Sequence, residues 1–280
     1  MAWTRRYDEA EPQRVNRWLA QNGVCSRREA EGLIAQGLVS IDGERVEDVG
    51  RKIEPGQTLE LADGAVRGQD AKLSVMIHKP VGIVSSQPEP GQTPAVRLLT
   101  KDALWGESPV IPGFEHKLAP MGRLDMDSRG LLLLSEDGVL AKAVIGPESD
   151  LEKEYLVTVA GQITEGRLSL LRHGLQLDGR KLQPARVSMI RGQQLRFILK
   201  EGRNRQIRRM AELVGLHVTD LLRVRIGGVE LGDLPEGKWR PLTAQEREGL
   251  ILSSQARSPA GATKKSPGGV GSVTPRSSSR

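Results

Sequence analysis

The sequence predicts an α+β protein: a mixed sheet with flanking helices, preceded by a small α/β unit and followed by a disordered tail. Three observations carry this. The strand-like and helix-like segments of the larger, later region do not alternate as repeating βαβ units, which argues against a doubly wound sheet. Residues 12–61 hold two short amphipathic helices and a hairpin. From Ser253 onward the chain is Ser, Gly, Pro, Lys and Arg with few apolar residues, a composition that cannot bury a core. The expected division is a flexible leader at 1–11, the small unit at 12–61, a linker at 62–72, the large domain at 73–252 and the tail at 253–280.

Composition sets further bounds. The chain has 280 residues, 38% hydrophobic and 27% charged, within the soluble globular range. No apolar run approaches the ~18–20 residues that span a bilayer, and Met1 to Arg6 lacks the apolar stretch of a signal peptide. The single Cys25 cannot form an internal disulfide, so a reducing cytoplasm is the expected compartment. The net charge is +6, but Arg257, Lys264, Lys265, Arg276 and Arg280 place most of it in the acid-free tail. Bulk charge therefore identifies no partner, and local clusters must do so.

In the first unit, Val15, Trp18 and Leu19 recur at helical spacing and Asn22-Gly23 stops the helix. A second helix opens on the capping box Ser26-Arg27-Arg28-Glu29 and buries Ala30, Leu33 and Ile34 before Gly37. Leu38–Ile41, the Asp42-Gly43 turn and Glu44–Val46 read as a hairpin. In the large region the expected strands are 73–78, 83–85, 131–135, 155–160, 186–190, 195–200 and 221–226. The expected helices are 139–145, 164–173 and 205–214.

Two constellations carry chemistry. Arg14, Arg17, Arg27 and Arg28 lie off the apolar stripes of the two short helices. They are either a phosphate-binding surface or a solvated face balanced by Glu29, Glu31, Asp42 and Glu44. The second is Gly122-Arg123-Leu124-Asp125, followed by Met126-Asp127-Ser128-Arg129-Gly130 and four leucines. A carboxylate at the edge of a core is an acid, a base or a nucleophile, or else a turn or cap residue. Asp125, Asp127, Gly130 and Glu136 match four calcium-loop positions, but Arg129 stands where an oxygen ligand belongs and leucines fill the next four. Further on, Ile207, Met210, Ala211 and Val214 form a helical stripe, which leaves Arg205, Arg208 and Arg209 unable to point inward together. Such a basic first turn opposes the helix macrodipole and calls for an anion. Tyr155, one of two tyrosines, is either core or a flat surface for a stacked base.

The string Ser26 to Gly43 resembles the RNA-binding module first seen in the fourth ribosomal protein of the small subunit. Gly122-Arg123-Leu124-Asp125 with Ser128 and Gly130, Lys153-Glu154-Tyr155, and Gly202 to Arg209 together resemble the RsuA-type pseudouridine synthases, as does His78 to Ser85. Within that family the likeness is to the RluF branch, which acts on 23S ribosomal RNA. The resemblance implies a mainly antiparallel pseudouridine-synthase sheet and conversion of a uridine in ribosomal RNA, 23S above all, on a flipped-out base. It implies Asp125 as nucleophile, Arg208 as its partner, Tyr155 stacked on the uracil and Arg123 filling the space the base leaves. Lys79, Arg203, Arg205 and Arg209 join Arg14, Arg17, Arg27 and Arg28 as expected RNA contacts. No cofactor, no metal and no membrane are implied, and a monomer acting on RNA or on an assembling ribosomal subunit is expected. A non-catalytic RNA-binding or assembly factor, or the same chemistry on 16S or transfer RNA, are the alternatives.

Overall fold

A computed structural model describes residues 3–65, 72–113 and 115–255. The first unit is assembled around the capping box. Ser26 accepts the Glu29 amide and Glu29 accepts the Ser26 amide, and together they start α2 (Arg27–Ala35) beside α1 (Val15–Gln21). The helices cover a four-stranded sheet in the spatial order β1 (Trp3–Arg6), β4 (Thr58–Leu61), β2 (Val39–Ile41), β3 (Glu44–Arg45). Asp42 and Gly43 both have positive φ, as the two-residue turn of this hairpin requires.

The leader expected to be flexible is part of this fold. β1 pairs with β4, Tyr7 is fully buried, and the Trp3 and Tyr7 rings meet Trp18 edge-on at 6.0 and 5.5 Å. Aromatic burial outweighs the entropy of ordering the polar residues between them. At the other end, Ala65 packs into the same core, inside the expected linker; residues 66–71 lie outside the described residues.

The large region is built on a nine-stranded sheet. Its main path runs β8 (Arg186–Arg191), β9 (Gln194–Leu199), β7 (Lys153–Ala160), β10 (His217–Ile226), β6 (Arg129–Ser135), β5 (Ser74–Lys79), β11 (Trp239–Pro241). Every neighbouring pair on this path is antiparallel except β10 with β6. The four leucines of β6 are buried on both faces. Leu131 and Leu133 pack with Met76 on one side, and Leu132 and Leu134 pack with Val75, Ile77 and Trp239 on the other. That two-sided burial is why the run is continuous rather than alternating. A separate core beneath β7 and β9 takes in the apolar stripe of α5 (Gln206–Leu213) and the helix α4 (Glu165–Arg172).

The two regions touch. The Glu29 carboxylate of α2 receives Lys72 Nζ at 2.5 Å and the Gly138 amide at 3.3 Å, at the start of α3 (Gly138–Ile145). Lys142 of α3 donates to the Ala20 carbonyl at 3.0 Å. A Cβ on Gly138 would stand 2.4 Å from Ser26 Cβ, so only glycine permits this approach. At the end of the chain, α6 (Ala244–Gln255) continues through 253–255, the first residues of the expected tail. Residues 256–280 lie outside the described residues.

Candidate active site

The loop before β6 turns tightly: the Ser128 amide donates to the Asp125 carbonyl at 3.0 Å. Ser85, itself buried, holds Leu124 from both sides, accepting its amide at 2.9 Å and donating to its carbonyl at 2.7 Å. Asp125 is thereby fixed on the wall of a cavity of about 920 Å³ that Arg123, Lys153, Tyr155, Arg205 and Arg223 also line. Its side chain is 31% exposed, facing the cavity.

The cations around it are not arranged as expected. The guanidinium nearest Asp125 is that of Arg205, whose Nη1 lies 3.8 Å from Oδ2. Arg208, the expected partner, is directed to the next turn. Its Nη2 donates to the Asp127 carbonyl at 2.8 Å and to Ser128 Oγ at 3.2 Å, its Nη1 donates to the Val218 carbonyl, and its Nε lies 3.4 Å from the Asp127 carboxylate. Buried in α5, Arg208 reaches the backbone of the Asp125 turn and not its carboxylate. Arg205 also forks onto Asp127 at 3.1 and 2.9 Å. Burial works to raise the Asp127 pKa, but the hydrogen bonds from Arg205 and the charges of Arg208 and Arg205 outweigh it and hold the carboxyl below its usual range. Asp127 is therefore the anion that the basic start of α5 needs. Arg205 takes a left-handed conformation (φ 48°) to cap α5, a backbone that costs a non-glycine residue free energy.

Lys79, an expected RNA contact, is fully buried instead. Its Nζ donates to the carbonyls of Pro80 and Ile83 at 2.8 and 2.7 Å, closing the turn after β5. Burial pushes its pKa down to about 8, against the opposing pull of Asp125 and Asp127. Lys153, on the cavity wall, is likewise pushed down to about 8, by burial first and then by the charge of Arg223.

Tyr155 on β7 is half-buried and packs against two hydrophobic clusters. Arg123 is exposed at the cavity. Arg203 is pinned by Glu201 and the carbonyls of Leu177, Arg180 and Lys181, and Arg209 forks onto Asp178 at 3.0 and 2.6 Å. Arg14, Arg17, Arg27 and Arg28 are all exposed on the first unit. The carboxylates that match a calcium loop are held apart: Glu136 binds His116 and the Lys117 amide, while Asp127 binds arginines. Sequence reasoning missed Ser85, Asp127 as the arginine acceptor, Lys153 and Arg223. Ser85, Lys153 and Arg223 stand in no ion-pair or ligand spacing along the chain, and Asp127 is marked only by a calcium-loop spacing that points away from its arginine partners.

The family model for RNA pseudouridylate synthases matches residues 73–213, and that for the S4 domain matches residues 13–59. The dual-specificity RNA pseudouridine synthase RluF of Escherichia coli K12 is 37% identical over 238 residues, 83% of this chain and 76% of that protein. An uncharacterised RNA pseudouridine synthase of Aquifex aeolicus is 31% identical over 237 residues, 83% of this chain and 91% of that protein. A crystal structure of a pseudouridylate synthase superposes with a TM-score of 0.57 at 28% identity, covering 86% of this chain and all of that one. The chain thus belongs to the RNA pseudouridine synthase family, as an RNA-modifying enzyme with an S4 RNA-binding domain ahead of its catalytic sheet.

Proposed function

We propose that the enzyme isomerises a uridine of ribosomal RNA, 23S rRNA foremost, with Asp125 as the nucleophile. The observation that carries this reading is the Asp125 carboxylate on the wall of a large cleft, shared with the Tyr155 ring and with the Arg205 guanidinium 3.8 Å away. The target nucleotide leaves its stack, at a cost of a few kcal/mol, and enters the cleft. A carboxylate oxygen of Asp125 stabilises the split molecule through a covalent bond or an ion pair. The N1–C1′ bond breaks, the uracil turns, the C5–C1′ bond forms, the C5 proton is lost and N1 takes up a proton, so the product is an isomer. Tyr155 supplies the stacking face and Arg123 takes up the space left in the RNA. Arg205 supports the carboxylate directly, and Arg208 does so through the Asp127–Ser128 backbone. The module at 12–61 holds structured RNA through Arg14, Arg17, Arg27 and Arg28.

Among the described residues no helix is long and apolar enough to cross a membrane, and we place the enzyme in the cytoplasm, as a monomer working on RNA or an assembling ribosomal subunit. The test is Asp125→Asn, assayed for pseudouridine on RNA from cells lacking the enzyme. Binding should persist and product should vanish. Normal product formation would end the nucleophile assignment, and an inactive wild-type protein that binds RNA would favour the assembly-factor reading.

A further inference from the structure

The Asp125 loop is held by a residue outside the span matched by the family model. β10 is the one strand of the large sheet that meets both the strand after the loop and the strand carrying Tyr155. Arg223 stands opposite Gly130 in the parallel pairing with β6 and opposite Tyr155 in the antiparallel pairing with β7. Its side chain is 4% exposed. Nε donates to the Leu131 carbonyl at 2.8 Å and Nη1 donates to the Arg123 carbonyl at 3.3 Å. Residues 123 and 131 are the two ends of the segment that contains Asp125, so one guanidinium closes that segment like a clasp. Gly130 makes the approach possible: its φ is +115°, and a Cβ there would fall 2.3 Å from the Arg223 carbonyl oxygen and 2.6 Å from its amide.

Other buried or half-buried arginines of this protein neutralise acids, as Arg225 does with Glu154, Arg240 with Glu246 and Arg129 with Asp220. Arg223 forms no ion pair among the described residues, donates only to neutral carbonyls, and leaves Nη2 buried without an acceptor. A buried cation arranged this way is a poor stabiliser of the fold. Its planar fork, in contrast, spans two acceptors at fixed separation, which a lysine ammonium cannot do.

We propose that Arg223 is a positioning residue for the isomerisation, clamping both ends of the Asp125 loop and fixing it against the Tyr155 strand. This rests on Asp125 being the nucleophile. The charge of Arg223 also reaches the cleft wall, where it opposes protonation of Lys153.

The experiment compares Arg223→Lys and Arg223→Gln with wild type in the full-length protein, on RNA from cells lacking the enzyme, under single-turnover conditions. Thermal unfolding and hydrogen–deuterium exchange of residues 123–131 are read in parallel. The maximal rate should fall by about 100-fold, as expected for a nucleophile displaced on the ångström scale. RNA affinity should stay within about threefold, and exchange should quicken in residues 123–131 but not in α1 or α2. Arg223→Lys should rescue little, because it keeps the charge and loses the fork. A folded Arg223→Lys with a wild-type rate, a loss confined to affinity, or failure of both variants to fold would each overturn the assignment. Asp125→Asn run alongside separates the two claims. Wild-type activity in that variant refutes the nucleophile, whereas an inactive Asp125→Asn with an active Arg223→Lys refutes only the clamp.

Discussion

Lys79 is a fully buried amine held by two carbonyls, and its titration is a direct probe of the turn after β5. Its folded pKa of about 8 lies below the value of about 10.4 for an exposed lysine. Below pH 8 both folded and unfolded chains hold the proton, and the buried charge costs stability in full. Between about pH 8 and about pH 10.4 the unfolded chain binds more protons than the folded one, so stability attributable to this residue rises with pH. Measured by urea unfolding, the stability of wild type relative to Lys79→Met should therefore increase by about 2–3 kcal/mol across that window. A flat difference would show an amine that titrates as if in water. Arg208 calls for a different outcome. Its guanidinium satisfies the Asp127 and Val218 carbonyls and the Ser128 hydroxyl inside the protein. Arg208→Met should cost about 2–4 kcal/mol of folding stability as well as activity, because the same bonds hold the turn that carries Asp125. An Arg208→Met protein with wild-type unfolding and a lost rate would put Arg208 on the substrate instead.

At the scale of elements, β1 is where the physics departs most from local sequence. Trp3 and Tyr7 are isolated apolar residues in a polar stretch, and their partner Trp18 lies on α1, beyond the reach of any periodicity. Tyr7→Ala should lower stability by about 3–5 kcal/mol, the usual cost of deleting a fully buried aromatic ring. A neutral result in chemical unfolding would restore the picture of a loose leader. Elements with local signals are legible in the sequence, and those held by distant partners are not. The capping box of α2, the Asp-Gly hairpin, the leucine run of β6 and the stripe of α5 are local patterns, and each marks its element in the sequence. Helix α6 has a local start signal that the expected elements omit: the Thr243 amide donates to the Glu246 carboxylate at 2.9 Å and the Glu246 amide donates to Thr243 Oγ1 at 3.1 Å, while the fully buried Leu250 and the distant ion pair of Arg247 with Asp137 hold it in place. For the candidate site, the sequence points to Asp125 because a carboxylate beside a buried run is conspicuous, and the fold sets that residue on the cavity wall. The sequence misassigns Lys79 because a lysine after a strand is ordinarily exposed. It aims Arg208 at the wrong carboxyl because Asp125 and Asp127 lie two residues apart, and only the turn decides which one α5 meets.

For the whole molecule the question is where its positive charge remains available to RNA. Arg203, Arg205, Arg208 and Arg209 are each engaged by an acid near the cleft. These pairs weaken any attraction they exert on phosphate. Arg27 and Arg28 are exposed and form no ion pair among the described residues. The unit that carries them is fastened to the catalytic sheet through Glu29, Lys72 and Gly138. Affinity and chemistry should therefore separate between the two regions. In Arg27→Ala/Arg28→Ala, RNA affinity should fall at low salt, and the slope of log affinity against log salt should become shallower by about one for each phosphate no longer neutralised, about two in all. The single-turnover rate at saturating enzyme should stay close to wild type, because neither side chain lines the cavity. Filter binding from low to moderate salt, with the saturated rate read on the same RNA, checks both halves. An unchanged slope would mean that these arginines are solvated surface and that Arg14 and Arg17, or the cleft itself, hold the strand. A large loss of the saturated rate would mean that the module orders the active site and does not merely bring RNA to it.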